Sequence, residues 1–81
     1  MRVRVFVTPR EGILDPQGRA VEAALADLGF TGVSGLHVGR FIVLALEAPT
    51  KVDAEETIRR MCEQLLTNPT IEDYRFEVDA G

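Results

Sequence analysis

The single histidine and the single cysteine are the side chains with the most obvious capacity for chemistry in this chain. His37 stands between Leu36 and Val38, and as a catalytic base it would need an orienting acid and a nucleophile. Cys62 lies in an apolar helical stripe beside Met61, where a thiol is usually buried and unreactive. We therefore expect a hydrogen-bonded or partly exposed structural role for His37 and core packing for Cys62.

Patterns that usually bind phosphate or metal are missing from the sequence. The glycines of the middle segment form neither a G-x-G-x-x-G motif nor a P-loop; they are Gly29, Gly32, Gly35 and Gly39. One cysteine and one histidine give no ligand set at metal spacing. A small acylphosphatase would use Arg10 and Asn68, but Glu11 places a carboxylate beside that phosphate site. The sequence predicts no catalytic, cofactor-binding or metal-binding residue.

Length and charge restrict the class of protein. The 81 residues predict one domain over 1–81, with a core so small that oligomerisation is the remaining aid to stability. Thirteen acids against nine bases disfavour a nucleic-acid partner. No apolar run approaches ~18 residues and no signal peptide is evident, so we expect a cytoplasmic protein without a membrane partner.

Hydrophobic periodicity predicts the element order β-α-β-α-β. Residues 2–8 and 71–78 alternate as half-buried strands, the first helix begins at Asp15-Pro16 and ends at Gly29, and the second begins with Asp53 as its N-cap. Each helix has an apolar stripe expected to pack in the core: Ala20, Val21, Ala24, Leu25 and Leu28 in the first, and Ile58, Met61, Cys62, Leu65 and Leu66 in the second. The predicted fold is α+β, an antiparallel sheet with two helices on one face and ferredoxin-like character.

Residues 33–47 read as one strand that is too long for its own domain. At ~3.3 Å per residue it would span roughly 50 Å, whereas a compact domain of this length has a radius of gyration of about 12 Å. The strand must break near Gly39 or run on into a second copy, and its composition favours the second, a long central strand shared in a homodimer. Because both of its faces are apolar, we predict that Phe41, Val43 and Ala45 lie in a dimer interface.

Two loops combine apolar and charged residues in a way that favours partner docking. Residues 8–18 contain Ile13, an apolar residue that a purely solvated loop would not need; the alternative is that Ile13 acts as a hydrophobic staple for the first helix. Residues 68–74 contain adjacent acids. We expect Arg10, Ile13, Glu72 and Asp73 to contact partner subunits.

The sequence resembles the PurS family along five blocks. Members of this family are the small subunit of multi-subunit phosphoribosylformylglycinamidine synthase. The matching blocks keep their order through nearly the whole chain; they are residues 14–18, 20–25, 28–30, 38–42 and 62–74. The blocks Leu-Asp-Pro-Gln-Gly and Asn-Pro-x-Ile-Glu-Asp-Tyr are the most specific.

The resemblance implies a non-catalytic subunit of an ATP- and glutamine-dependent ligase in purine biosynthesis. It implies self-association and contacts with a large synthase subunit and a glutaminase subunit. ATP and Mg would be used by the large subunit, and this chain would bind no cofactor. The alternative from the residues is a small-molecule-binding regulatory module of ferredoxin-like fold, with its ligand at the dimer interface near residues 8–15 and with Arg10 and Arg40 as the available cations.

Overall fold

In the computed structural model, which describes residues 1–79, the elements follow the predicted order. The strands are β1 (Arg2–Pro9), β2 (Arg40–Ala45) and β3 (Glu72–Asp79); the helices are α1 (Pro16–Asp27) and α2 (Lys51–Met61), and a π-helical turn (Cys62–Leu66) continues α2. The α+β class with an antiparallel sheet and two helices is confirmed.

The sheet has the order β2-β1-β3, so β1 is its central strand and β2 lies at an edge. Val5 of β1 is opposite Ile42 on one side and Phe76 on the other. The alternate residues of β1 point into the core against α2, and the fully buried apolar side chains are Val3, Val5, Val7, Ala54, Ile58 and Cys62. The alternation of valines in β1 thus places this strand under α2.

The second helix begins three residues earlier than predicted. Its N-cap is Thr50, whose Oγ1 accepts a hydrogen bond from the Asp53 N–H at 3.1 Å and donates one to Asp53 Oδ2 at 2.9 Å. The prediction of Asp53 as N-cap is wrong, because Asp53 is the third residue of the helix and makes both of these hydrogen bonds with the N-cap Thr50. At the other end, the N–H of Thr67 bonds to the carbonyl of Cys62 at 2.9 Å, which is the five-residue spacing of a π-helical turn.

Helix α1 does not lie on the sheet of its own chain, which corrects the prediction of two helices on one face. Within the described residues α2 is the one helix that packs on the sheet, and the predicted stripe of α1 stays largely open, with Leu28 73% exposed. The described chain measures 50 × 27 × 15 Å and has a radius of gyration of 16.0 Å. We call α1 with residues 28–38 the arm, because these residues extend away from the sheet.

The long strand predicted over 33–47 is also shorter than expected. Regular pairing covers only Arg40–Ala45, and β2 is an edge strand instead of a central one. The strand breaks at Gly39, which was the less favoured of the two alternatives, and glycine is required there because a side chain would collide with the carbonyl oxygen of Val7. The N–H groups of Leu36 and Val38 bond to carboxylates of the arm instead of to a strand.

Candidate interaction surfaces

His37 has the hydrogen-bonded structural role expected for it. Its Nδ1 lies 3.4 Å from Asp15 Oδ2, and its side chain is 36% exposed. The Asp15 carboxylate also accepts from the N–H groups of Gly18 at 3.0 Å and Val38 at 2.9 Å. These two backbone hydrogen bonds hold the pKa of Asp15 below its usual value; the bond from Gly18 contributes most, the bond from Val38 next, and His37 less. The Asp15 oxygens are therefore engaged in holding local structure.

Cys62 is fully buried, as predicted. Burial raises the pKa of its thiol, and the adjacent Glu63 raises it further. A thiol with a raised pKa in an apolar core is a poor nucleophile, so Cys62 acts here as a packing residue.

Three of the four predicted docking residues come together at one end of the sheet. Arg10 Nε donates to the backbone carbonyl of Glu72 at 3.3 Å and lies 3.4 Å from Asp73 Oδ1. Arg40 joins them by donating from Nη2 to Glu72 Oε1 at 3.0 Å and to the Leu66 carbonyl at 2.7 Å. We call Arg10, Arg40, Glu72 and Asp73 the charged end. Our docking prediction from the sequence had left out Arg40, although it heads the strand that pairs with β1.

The charged end weakens the alternative of a small-molecule sensor. That reading uses Arg10 and Arg40 to receive a ligand carboxylate, but both guanidinium groups already pair with Asp73 and Glu72. A ligand would have to displace these internal partners, which costs the hydrogen bonds they make.

Ile13, the fourth predicted docking residue, lies next to the charged end, because its N–H donates to the Arg10 carbonyl at 3.1 Å. It lines an open groove of about 1090 Å³ between α1 and residues 30–37. Apolar residues of the arm, including Phe30, Val33 and Leu36, line the same groove. Ile13 therefore lies where the charged end adjoins this groove.

The predicted dimer residues lie together on the outer face of the sheet, opposite α2. Phe41 pairs with Phe6 and Val43 with Arg4, and these β1 residues alternate with the buried valines. Phe41 is 58% exposed and Val43 54% exposed, and Ala45 is exposed beside them. We call Phe41, Val43 and Ala45 the outer patch. Contiguous exposed apolar side chains of this kind mark interaction sites.

The other half of the outer face is ion-paired. Arg4 Nη2 lies 2.8 Å from Asp79 Oδ2, and Arg4 Nε lies 3.5 Å from Glu77 Oε1. The face is therefore apolar along β2 and charged along β3. An apolar partner surface fits the β2 side, because the β3 side would keep its charges in solvent.

Two other kinds of site were sought within residues 1–79. No group of three or more histidine, cysteine, aspartate or glutamate side chains is arranged there to hold a metal ion. None of the helices in this range has the length and apolar character needed to cross a membrane.

Comparison with known proteins gives one consistent match. The family model described as PurS, phosphoribosylformylglycinamidine (FGAM) synthase, matches residues 2–80. The chain is 47% identical over 77 residues to subunit PurS of phosphoribosylformylglycinamidine synthase from Synechocystis, covering 95% of this chain and 77% of that protein. The corresponding subunit from Bacillus subtilis is 40% identical, with 96% and 92% covered.

Solved structures agree with these sequence matches. Bacillus subtilis PurS superposes with a TM-score of 0.84 at 39% identity, covering 98% of both chains. A chain in the structure of PurLQS from Thermotoga maritima gives a TM-score of 0.84 at 33% identity, covering 94% of this chain and 93% of that one.

Proposed function

Because this chain belongs to the PurS family of phosphoribosylformylglycinamidine synthase subunits, we propose that it bridges the ATP-dependent synthase subunit and the glutaminase subunit of that enzyme. The observation that carries the proposal is the match over residues 2–80, with no part of the fold left to a different family. The relative solved as part of PurLQS supports a place in a complex of several subunits.

The proposed reaction is the conversion of formylglycinamide ribonucleotide to its amidine in purine biosynthesis. The large synthase subunit uses ATP and Mg, the glutaminase subunit releases ammonia, and this chain binds no cofactor and supplies no catalytic residue. Buried Cys62 and the engaged Asp15–His37 pair support this division of labour. We place this complex in the cytoplasm.

The chain works as a homodimer in this proposal. The outer patch supports self-association, since Phe41 and Val43 remain more than half exposed in a single copy. An isologous contact between two outer patches would bury Phe41, Val43 and Ala45 together. Further uncovered side chains on the arm, such as Leu28 and Phe30, also require cover.

The charged end and Ile13 are the proposed docking residues for the other subunits. Arg10, Glu72 and Asp73 are held in place by their mutual contacts, so a partner meets a preorganised patch of both charges. Ile13 adds an apolar contact next to Arg10. A charged patch with an adjoining apolar residue suits a surface that docks on another subunit.

Reconstitution from purified subunits tests the proposal. The large subunit and the glutaminase are mixed with or without this chain, and complex formation is followed by gel filtration while amidine formation is measured from glutamine and ATP. We expect a stable complex and glutamine-dependent turnover only when this chain is present. Amidine formation by the pure chain, or full assembly without it, would contradict the proposed role.

A further inference from the structure

The Leu14–Gly18 block, which characterises the chain in sequence, has a structural task beyond starting α1. Asp15 is the N-cap of α1 because its Oδ1 accepts from the Gly18 N–H at 3.0 Å. Its second oxygen, Oδ2, accepts from the Val38 N–H at 2.9 Å, across 23 residues of sequence. A capping residue needs only one acceptor, so the second bond serves another purpose.

Glu22 makes the matching contact two helical turns further along α1. Its Oε2 accepts from the N–H of Leu36 at 3.2 Å. Residues seven apart lie on one side of a helix, and in an extended chain the N–H groups of alternate residues point the same way. The carboxylates of Asp15 and Glu22 therefore accept the N–H groups of Val38 and Leu36, as the carbonyl groups of a neighbouring strand would.

Gly18 makes this close contact possible. It is buried, and a Cβ there would lie 2.8 Å from the carbonyl oxygen of Leu36 and would collide with the Asp15 carboxylate. Any larger residue would push α1 away from residues 36–38. The block thus combines an N-cap, a second acceptor and the space that the contact requires.

The contact fixes the direction of the arm. Residues 36–38 lead through Gly39 directly into β2, so a helix bonded to them keeps a set orientation relative to the sheet. The apolar side of α1 lies next to this bonded side, and within residues 1–79 its Val21 and Leu28 are left exposed. In the same chain, the inward side chains of β2 and of the residue that follows it stay only partly buried; they are Ile42, Leu44 and Leu46.

The apolar side of α1 and the inward side of β2 do not cover each other within one chain, but the surface of one copy would cover that of another. We propose that Asp15 and Glu22 are positioning residues, a latch that holds α1 in the direction at which a second copy of this chain receives its apolar side. This inference rests on the self-association proposed above and adds to the outer-patch contact a second contact, between α1 of one copy and the inward side of β2 in the other. We choose a second copy as the partner of α1 because two copies that exchange arms would cover both surfaces in each chain, the apolar side of α1 and the inward side of β2.

The test uses Asp15→Asn, which separates the cap from the latch. Asparagine is a good N-cap and keeps one acceptor for Gly18, but it places an NH2 group where Val38 N–H needs an acceptor. Glu22→Gln is the conservative variant, because its amide oxygen can still accept from Leu36. Asp53→Asn is the matched control, since it removes one negative charge near the N-terminus of α2, away from the arm.

Two readouts are measured on each full-length variant: amide hydrogen exchange at Val38, and the dissociation constant for self-association by sedimentation equilibrium. For Asp15→Asn we expect Val38 exchange to accelerate and self-association to weaken, each by about tenfold or more. Glu22→Gln and Asp53→Asn should stay within about threefold of the wild type.

The outcomes separate this inference from the proposed function. A dimeric Asp15→Asn variant of unchanged dissociation constant, with Val38 exchange accelerated, would overturn the role of the latch while leaving the homodimer intact. Unchanged exchange at Val38 would overturn the latch itself. A monomeric wild type at micromolar concentration would overturn the self-association, and Val38 exchange would still report whether the hydrogen bond orders the arm.

Discussion

The guanidinium of Arg75 lies over the ring of Phe6, 4.0 Å from the ring centroid. The other neighbour of Phe6 is Phe41, whose ring centroid is 5.0 Å away. Phe6 is thereby half-covered within one chain, whereas Phe41, at the edge strand, is left 58% exposed. This arrangement concentrates the available apolar surface on β2, where the predictions for self-association apply.

Phe41→Asp should dissociate the homodimer without unfolding the chain. A charge placed in a desolvated interface is strongly unfavourable, but in a single copy position 41 faces solvent. Sedimentation velocity at several concentrations measures the dissociation, and thermal melting of the monomer measures the fold. Val52→Asp is the control, because Val52 is also exposed but lies on α2 away from the outer patch. If Phe41→Asp self-associates as tightly as Val52→Asp and the wild type, the outer patch is not part of the interface.

His37→Ala and Cys62→Ala should leave the rate of the assembled enzyme within a few-fold of the wild type. Neither side chain is placed to take part in a reaction, but Cys62 is fully buried. Its truncation should lower the free energy of unfolding by roughly 1 kcal/mol through the cavity it leaves. Steady-state amidine formation and urea unfolding give the two quantities. A loss of activity beyond a hundredfold, with the complex intact, would assign one of these residues to the chemistry.

Acidification should loosen the arm through Asp15. Its pKa in the folded chain lies below the ordinary value of 3.8, because the Gly18 and Val38 N–H groups bond to the ionised form. The stabilisation is therefore complete above the ordinary pKa and is lost as the pH falls through the lower, folded value. Three other charged or titratable groups line the same groove: His37, Arg19 and Glu22.

The corresponding measurement compares the melting temperatures of the wild type and Asp15→Asn between about pH 5 and about pH 2. The wild type should be the more stable at the upper end, and the difference should shrink towards the lower end. A difference that stays constant over this range would show that ionisation of Asp15 does not contribute.

Alanine substitutions at Arg10, Ile13 and Glu72 should identify the docking surface for the other subunits. Few interface residues dominate binding, so we expect at least one variant to lose over ~2 kcal/mol of binding free energy and the others to lose little. Each variant is first checked for its fold and its dimer, because Glu72 also accepts from Arg40 and from the Asn68 N–H. Complex formation is then measured by gel filtration against Lys51→Ala, an exposed control at the start of α2. Wild-type assembly by all three variants would move the docking surface to the exposed faces of the helices.

Much of the local structure was predictable from single segments. The Asp15-Pro16 start and the Gly29 end of α1 follow from capping rules, and Gly29 has the positive φ of +94° that such an end requires. The N-cap of α2 is Thr50, three residues before the predicted Asp53. Its capping pair with Asp53 has a recognisable sequence spacing and could have been found.

The sequence by itself determined the order of the elements, the alternating core face of β1 and β3, the caps of α1 and the family, because each of these depends on residues within a few positions or on ordered blocks. Only the tertiary structure decided that α1 leaves its own sheet, that Arg40 ties Glu72 to the π-helical turn after α2, and that Asp15 reaches Val38. Periodicity shows that a helix has an apolar side, but the surface that this side meets depends on the path of the chain through residues 28–39. An extended segment likewise looks the same in sequence whether its N–H groups bond to a strand or to two carboxylates, because the partner lies far away along the chain.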